Sequence, residues 1–317
     1  MRAWILILLA AAGPALGQDW PARPPRMVVP YAAGGLPDTM ARLLGQRLAE
    51  SLGQNMLVDN RPGAGGIAGS DLVAKSPPDG YTLLVADVGQ VAINPHLYEK
   101  LPYDPLKDFA PVSLIGTSTL FLVAHPSVAA NDLAELVALA RAQPGRLNYG
   151  SSGIGSIQHI ATEVLKAAFG IEIAHVPYKG TAQAVPALLG GQVSLLYSAL
   201  PSIETYLKSG RLKLLAASTL KRSPEAPGVR TVAEQGIPGY NFTPEIGILA
   251  PAGTPPAIVQ KLSSAIAKAV AHPELVQRYR QLGIDPVGST PEDYAAVIKA
   301  SYDKYAGAVK ISGAKAD

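Results

Sequence analysis

Short aliphatic runs alternate along the chain with stretches in which apolar residues recur every three or four positions. Met27, Val28 and Val29 end at Pro30 as a strand would. After a small-residue turn, Met40, Leu43, Leu44 and Leu48 then fall on one stripe, which predicts a helix over 39–52 stopped by Gly53. The same reading gives strands at 56–59 and 81–86 with a helix ending near Lys75 between them, and further strands at 112–115 and 121–125. From Asn131 a capped helix begins, with Leu133, Leu136, Val137 and Ala140 inward. Strand and helix go on alternating to a strand at 212–217, a loop-rich segment follows, and 247–251 reads as a return strand. Three helices with Pro near each start (255–271, 273–282 and 291–309) close the chain. Such alternation predicts an α/β protein with mostly parallel sheets flanked by helices. A mature length of about 300 residues exceeds what one core usually serves, so two domains are expected. Placing crossovers near 123–126 and at Gly247 assigns 18–123 and 247–317 to a discontinuous first domain and 124–246 to a second.

Two of the strand-to-helix turns share a composition. The first, Tyr31-Ala32-Ala33-Gly34-Gly35-Leu36-Pro37-Asp38, precedes the first helix. The second, Ser151-Ser152-Gly153-Ile154-Gly155-Ser156, precedes a helix whose stripe is Ile157, Ile160, Ala161, Val164 and Leu165. A first helical turn has unpaired N–H groups and the positive end of the macrodipole, so each loop can hold an anion with main-chain atoms alone. The glycines serve equally well in an ordinary β-to-α turn, where they supply geometry only. Two such helix starts facing each other across a cleft would hold a small carboxylate between them.

Composition narrows the classes. Arg2, an apolar run over 3–12 and small residues at Ala15 and Gly17 read as a secretory signal, too short for a stable membrane span, with residues 1–17 removed. Cleavage removes Arg2 and no acid, leaving 26 basic residues against 24 acidic ones, which is no nucleic-acid footprint. The chain has no cysteine, so disulfides, thiol catalysis and a lipid-modified cysteine anchor are excluded. The expectation is a monomer, free in the periplasm.

Three chemical motifs are weighed and set aside. Gly63, Gly65 and Ala68, with Asp87 after the next strand, match the spacing of a dinucleotide fingerprint. Asn60-Arg61-Pro62 separates strand from glycine there, and a tight turn before a closely packed helix fits better. Gly150-Ser151-Ser152-Gly153-Ile154 fails the nucleophile-elbow pattern at its last position, which argues against a secreted serine hydrolase using Ser152 or Ser156. Five scattered histidines give no metal-binding pair. No enzyme activity, metal or cofactor is expected.

The order of several further blocks is informative: Asn60-Arg61-Pro62-Gly63-Ala64-Gly65-Gly66, Pro77-Pro78-Asp79-Gly80-Tyr81, Leu101-Pro102-Tyr103-Asp104-Pro105, His175-Val176-Pro177-Tyr178-Lys179-Gly180, Leu189-Gly190-Gly191-Gln192-Val193 and Ala250-Pro251-Ala252-Gly253-Thr254-Pro255. With residues 28–38 and 148–151 they resemble the Bordetella uptake gene (Bug) receptors, the periplasmic solute-binding family of tripartite tricarboxylate transporters. The resemblance runs from Pro25 to about Gly313. It implies a two-domain Venus-flytrap binding protein that holds a small carboxylate between the two loops and delivers it to integral membrane permease subunits. A sensor subunit presenting ligand to a signalling partner would use the same closed form.

Carried onto this chain, the resemblance makes Tyr31, Gly34, Gly35, Leu36 and Asp38 the first half of the ligand site, and Ser152, Gly155, Ser156 and His159 the second. Asp38 also fits a helix-start acid, and Ser152 and Ser156 also fit helix caps. His159 fits a packed histidine as well as a cleft residue. Arg61 braces its loop in this reading, and Lys179 is a surface lysine. Ser194 and Ser198 stand where the family often has acids or amides, and Glu245 where an aromatic residue is common. A cleft-facing Glu245 would repel a second ligand carboxylate.

Overall fold

The computed structural model describes residues 20–316; the signal segment at 1–17 lies outside the described residues. In the first sheet, β1 (Arg26–Val29) sits between β2 (Leu57–Asn60) and β3 (Thr82–Ala86), parallel to both. α1 (Leu36–Leu52) and α2 (Ile67–Ala74) are the crossovers. α1 starts three residues earlier than its stripe suggests, because Pro37 in the first turn lacks only an N–H that has no helical partner. It buries Met40, Leu44 and Leu48, about 1.5–3 kcal/mol of hydrophobic stabilisation each. It ends at Gly53, which is left-handed at φ 68° with its N–H on the Ala49 carbonyl.

After a π-helical turn at Gly89–Ile93 and the short α3 (Asn94–Leu97), β4 (Phe109–Ser118) joins the first sheet. β5 (Phe121–Ala124) already belongs to the second. The chain therefore changes sheet at 119–120, ahead of the expected 123–126. Phe121 and Val123 pack with Leu188, Leu196 and Ala217, all of the second sheet's core.

That sheet is completed by α4 (Leu133–Ala142), β6 (Asn148–Ser151), α5 (Ile157–Phe169), β7 (Ala174–Pro177), α6 (Thr181–Leu189), β8 (Leu195–Ser198), α7 (Glu204–Lys208) and β9 (Lys213–Ala217). β10 (Glu245–Pro251) lies in the first sheet, opposite β3 with Gly247 beside Ala86. α8 (Pro256–Ala271), α9 (Pro273–Gln281), β11 (Ile284–Pro286) and α10 (Pro291–Ser312) follow. α8 and α9 pack on α1 and on β4 or β11, while α10 packs on β4 and also reaches α5.

The strand orders are β11-β4-β10-β3-β1-β2 and β7-β6-β8-β5-β9. Four strands of each sheet run in one direction, as the α/β pattern predicts. The strands that oppose them include both crossovers: β10 enters antiparallel between β3 and β4, and β5 antiparallel between β8 and β9. No helix among the described residues is long and apolar enough to cross a membrane.

Candidate functional site

Where the loops of the two sheets meet, they line a narrow cavity that is partly open to solvent. Its wall includes Leu36, Ile157 and Thr181, the first residues of α1, α5 and α6. Three helices thus start on one cavity. First-turn amides have no intrahelical acceptor, so their donors and the positive ends of three macrodipoles converge there. No Lys, Arg or His stands among the lining residues, and Leu36, Leu120, Ile157 and Ile246 make much of the wall apolar.

Close main-chain contacts hold the two sides together. The Ala32 amide donates to the Lys179 carbonyl at 3.4 Å. A Cβ on Gly65, which has φ +60°, would overlap the Ile154 carbonyl, and one on Gly155, at φ +77°, would overlap Asn94 Oδ1. The loop of the apparent dinucleotide fingerprint is therefore packed directly on the opposite loop.

Of the residues expected in the site, Tyr31, Gly35, Leu36 and Ser152 line the cavity. Ser152 donates from its hydroxyl to Gln158 Oε1 at 2.8 Å. The others support the loops. Gly34, at φ +90°, donates its N–H to Asp38 Oδ2 at 2.8 Å. Asp38 is buried and also accepts from Arg42 Nε and Asn60 Nδ2, each at 3.0 Å. The Ser156 hydroxyl caps α5 by accepting from the His159 amide at 3.3 Å. His159 Nδ1 accepts from the Gly155 amide at 3.3 Å, and its ring stacks on His175 at 4.2 Å, which in turn stacks on Tyr149. Burial lowers the pKa of both imidazoles; for His175, with His159 beside it, the value falls to about 3. The stack is neutral at physiological pH, packed in the second sheet's layer.

Glu245 does not line the cavity and is partly exposed. It accepts from Ser301 Oγ of α10 at 2.6 Å, and burial raises its pKa. Ser194 bonds Asn148 and Ser198 is fully buried; neither lines the cavity. Lys179 is exposed, as expected, whereas Arg61 donates to Asp59 of β2 and not to the loop it precedes. Four polar wall residues were not among the expected ligand contacts: Asp87, Gln158, Thr181 and Ser202. Thr181 had a signal, since Tyr178-Lys179-Gly180 leads from a strand into a helix as the two recognised loops do.

For Asp38, burial pushes the carboxyl up, but Arg42, Gly34 and Asn60 outweigh it and hold the pKa below the ordinary carboxylate value. A depressed folded-state pKa contributes stability above the unfolded value, and that contribution is lost as pH falls through the folded value. Asp38→Asn is therefore expected to lower stability at neutral pH by about 2 kcal/mol, the scale of a hydrogen bond to a charged group. The gap from the unsubstituted protein should close in urea melts as pH falls below about 4. A gap independent of pH would show that the carboxylate charge is irrelevant.

A family model described as "Tripartite tricarboxylate transporter family receptor" matches residues 40–313. Protein BugT of Bordetella pertussis is 38% identical over 319 residues, covering 99% of this chain and 98% of BugT. Among solved structures, R. palustris Rpa4515 with adipate superposes with a TM-score of 0.90 at 36% identity, covering 94% of this chain and 99% of that one. MatC from Rhodopseudomonas palustris, with bound malate, gives 0.87 at 32% identity over 92% of this chain and 100% of that one.

Proposed function

The chain belongs to the tripartite tricarboxylate transporter receptor family, and on that premise we propose that it captures a small organic carboxylate in the cavity between its sheets and presents it to integral membrane permease subunits. In this reading the protein works as a periplasmic monomer after loss of residues 1–17. The sheet holding β1 to β4, β10 and β11 forms one lobe, and the sheet holding β5 to β9 the other. The convergence of three helix starts on a cavity wall without cationic side chains carries the assignment. The adipate and malate bound by two relatives agree with it.

The magnitudes are adequate. A hydrogen bond to a charged group contributes about 1.5–3 kcal/mol, and micromolar binding needs about 8 kcal/mol. Three such bonds to a carboxylate contribute about 4.5–9 kcal/mol, and burial against the apolar wall adds to that. Because only the closed form places donors from both lobes on one anion, binding favours closure.

Protein purified without refolding should be screened by thermal shift against mono-, di- and tricarboxylates, each beside its amide. At least one acid is expected to raise the melting temperature where its amide does not. Equal response to acid and amide, or no response to any acid, would refute carboxylate capture.

A further inference from the structure

One carboxylate in the cavity wall has no place in a simple anion trap. Asp87 directly follows β3, is 7% exposed and lines the cavity. Its orientation is locked by a closed set of bonds. Oδ1 accepts from the Gly89 amide at 2.7 Å and from the Tyr31 hydroxyl at 3.2 Å. That hydroxyl accepts from Gln90 Nε2 at 2.8 Å, and Gln90 Oε1 accepts from the Asp87 amide at 2.9 Å. Among the described residues Oδ2 receives no hydrogen bond.

We propose that Asp87 is the acceptor for a ligand ammonium group, so that the cavity selects carboxylates that are also amines, amino acids and their close analogues. The inference rests on the carboxylate-receptor reading and adds the second pole of the ligand. The helix starts take the anion and Asp87 Oδ2 takes the cation. Among the described residues the carboxylate has no ion-pair partner. The titratable groups that face it are Tyr31, Tyr103 beyond the π-helical turn, and Tyr294 and Tyr305 of α10, all held neutral by burial. An arriving ammonium supplies both the missing charge and the missing donor. A ligand's second carboxylate at the same place would meet a like charge and would bind only by bringing in a proton.

The two possibilities have opposite pH signatures. Burial pushes the Asp87 carboxyl up to about 6 against the lowering bonds from Gly89 and Tyr31. An ammonium stabilises the ionised form, so such a ligand binds fully above about pH 6, releases protons near that pH and weakens as pH falls further. A ligand that requires protonated Asp87 strengthens as pH falls and takes up protons.

Titration calorimetry on the mature protein at pH 7.5 and pH 5 tests this with matched probes: L-aspartate and succinate, L-glutamate and glutarate, L-alanine and propionate, with malate and adipate alongside. At least one amino acid should bind tenfold or more tighter than its partner lacking the amine at the higher pH, and should lose that advantage at the lower. Asp87→Asn should reduce the ratio by about tenfold or more, while the partner acid binds as well or better. If that variant does not fold, the sign of proton exchange in the unsubstituted protein decides. Preference for the acid without the amine, for malate or for adipate, proton uptake, or a ratio unmoved by Asp87→Asn would overturn the assignment and leave carboxylate capture standing. Binding of no acid of either kind would overturn both.

Discussion

Gly65→Ala is expected to weaken ligand binding by about a hundredfold while both sheets stay folded. Position 65 has φ +60°, where an L side chain costs roughly 1–2 kcal/mol. The larger effect comes from the facing loop, because the new Cβ overlaps the Ile154 carbonyl, a main-chain atom that no rotamer change can move aside. Relief requires the 63–66 and 153–155 loops to part. Parting them also disturbs Gly65's carbonyl, which accepts from Asn94 Nδ2 at 3.1 Å. A hundredfold loss corresponds to about 2.7 kcal/mol, which the overlap and the backbone strain together readily reach. Calorimetry with whichever acid binds measures the loss. Circular dichroism should be unchanged, and small-angle scattering should show a larger radius with ligand present. Unaltered affinity would mean that closure does not depend on this contact.

The largest stability effect is expected at Gly247→Ala. Gly247 lies on β10 in the middle of the first sheet, and a Cβ there overlaps the ring of Tyr294, which is 1% exposed. Neither side can yield easily: the strand is held by ladders on both edges, and the ring is enclosed by α10 and the sheet. Overpacking a core by a methyl group commonly costs 1–3 kcal/mol, and here about 3 kcal/mol is expected, read from the shift in the urea midpoint. The double variant Gly247→Ala with Tyr294→Leu should recover part of the loss, since it removes the overlapping ring atoms. A single variant as stable as the unsubstituted protein would show that the helix slides freely over the sheet.

Much of the architecture was legible in the sequence because the period of apolar residues changes visibly from strand to helix, and glycine or proline marks most boundaries. The strand at 247–251 was readable for that reason. The outward crossover was misplaced by a few residues, because 112–115 and 121–125 are both aliphatic and nothing local says which sheet each will join. Two of the three helix starts on the cavity could be found from their glycines and serines, whereas Thr181 follows a single glycine and a lysine. Side-chain direction was the least accessible level. Helical position alone does not tell that Asp38 will turn to Arg42 and Asn60, that Ser156 will cap α5, or that His159 will stack on His175. Asp87 was noticed only through a motif it does not serve, since its importance depends on the loops that bury it.

The place of β10 in the first sheet sets the order in which the protein can fold. β3 ends at Ala86 and β4 begins at Phe109, yet the strand that lies between them starts only at Glu245, after the whole second sheet has been spelled out. A chain growing from its N-terminus therefore carries two unpaired strand edges for well over a hundred residues, and unpaired edges invite pairing with other chains. Closing that gap is a long-range event of the kind that slows folding. The second sheet, by contrast, draws all its strands from the continuous stretch 121–217 and can form first. The half of the molecule written first is the half that must finish last.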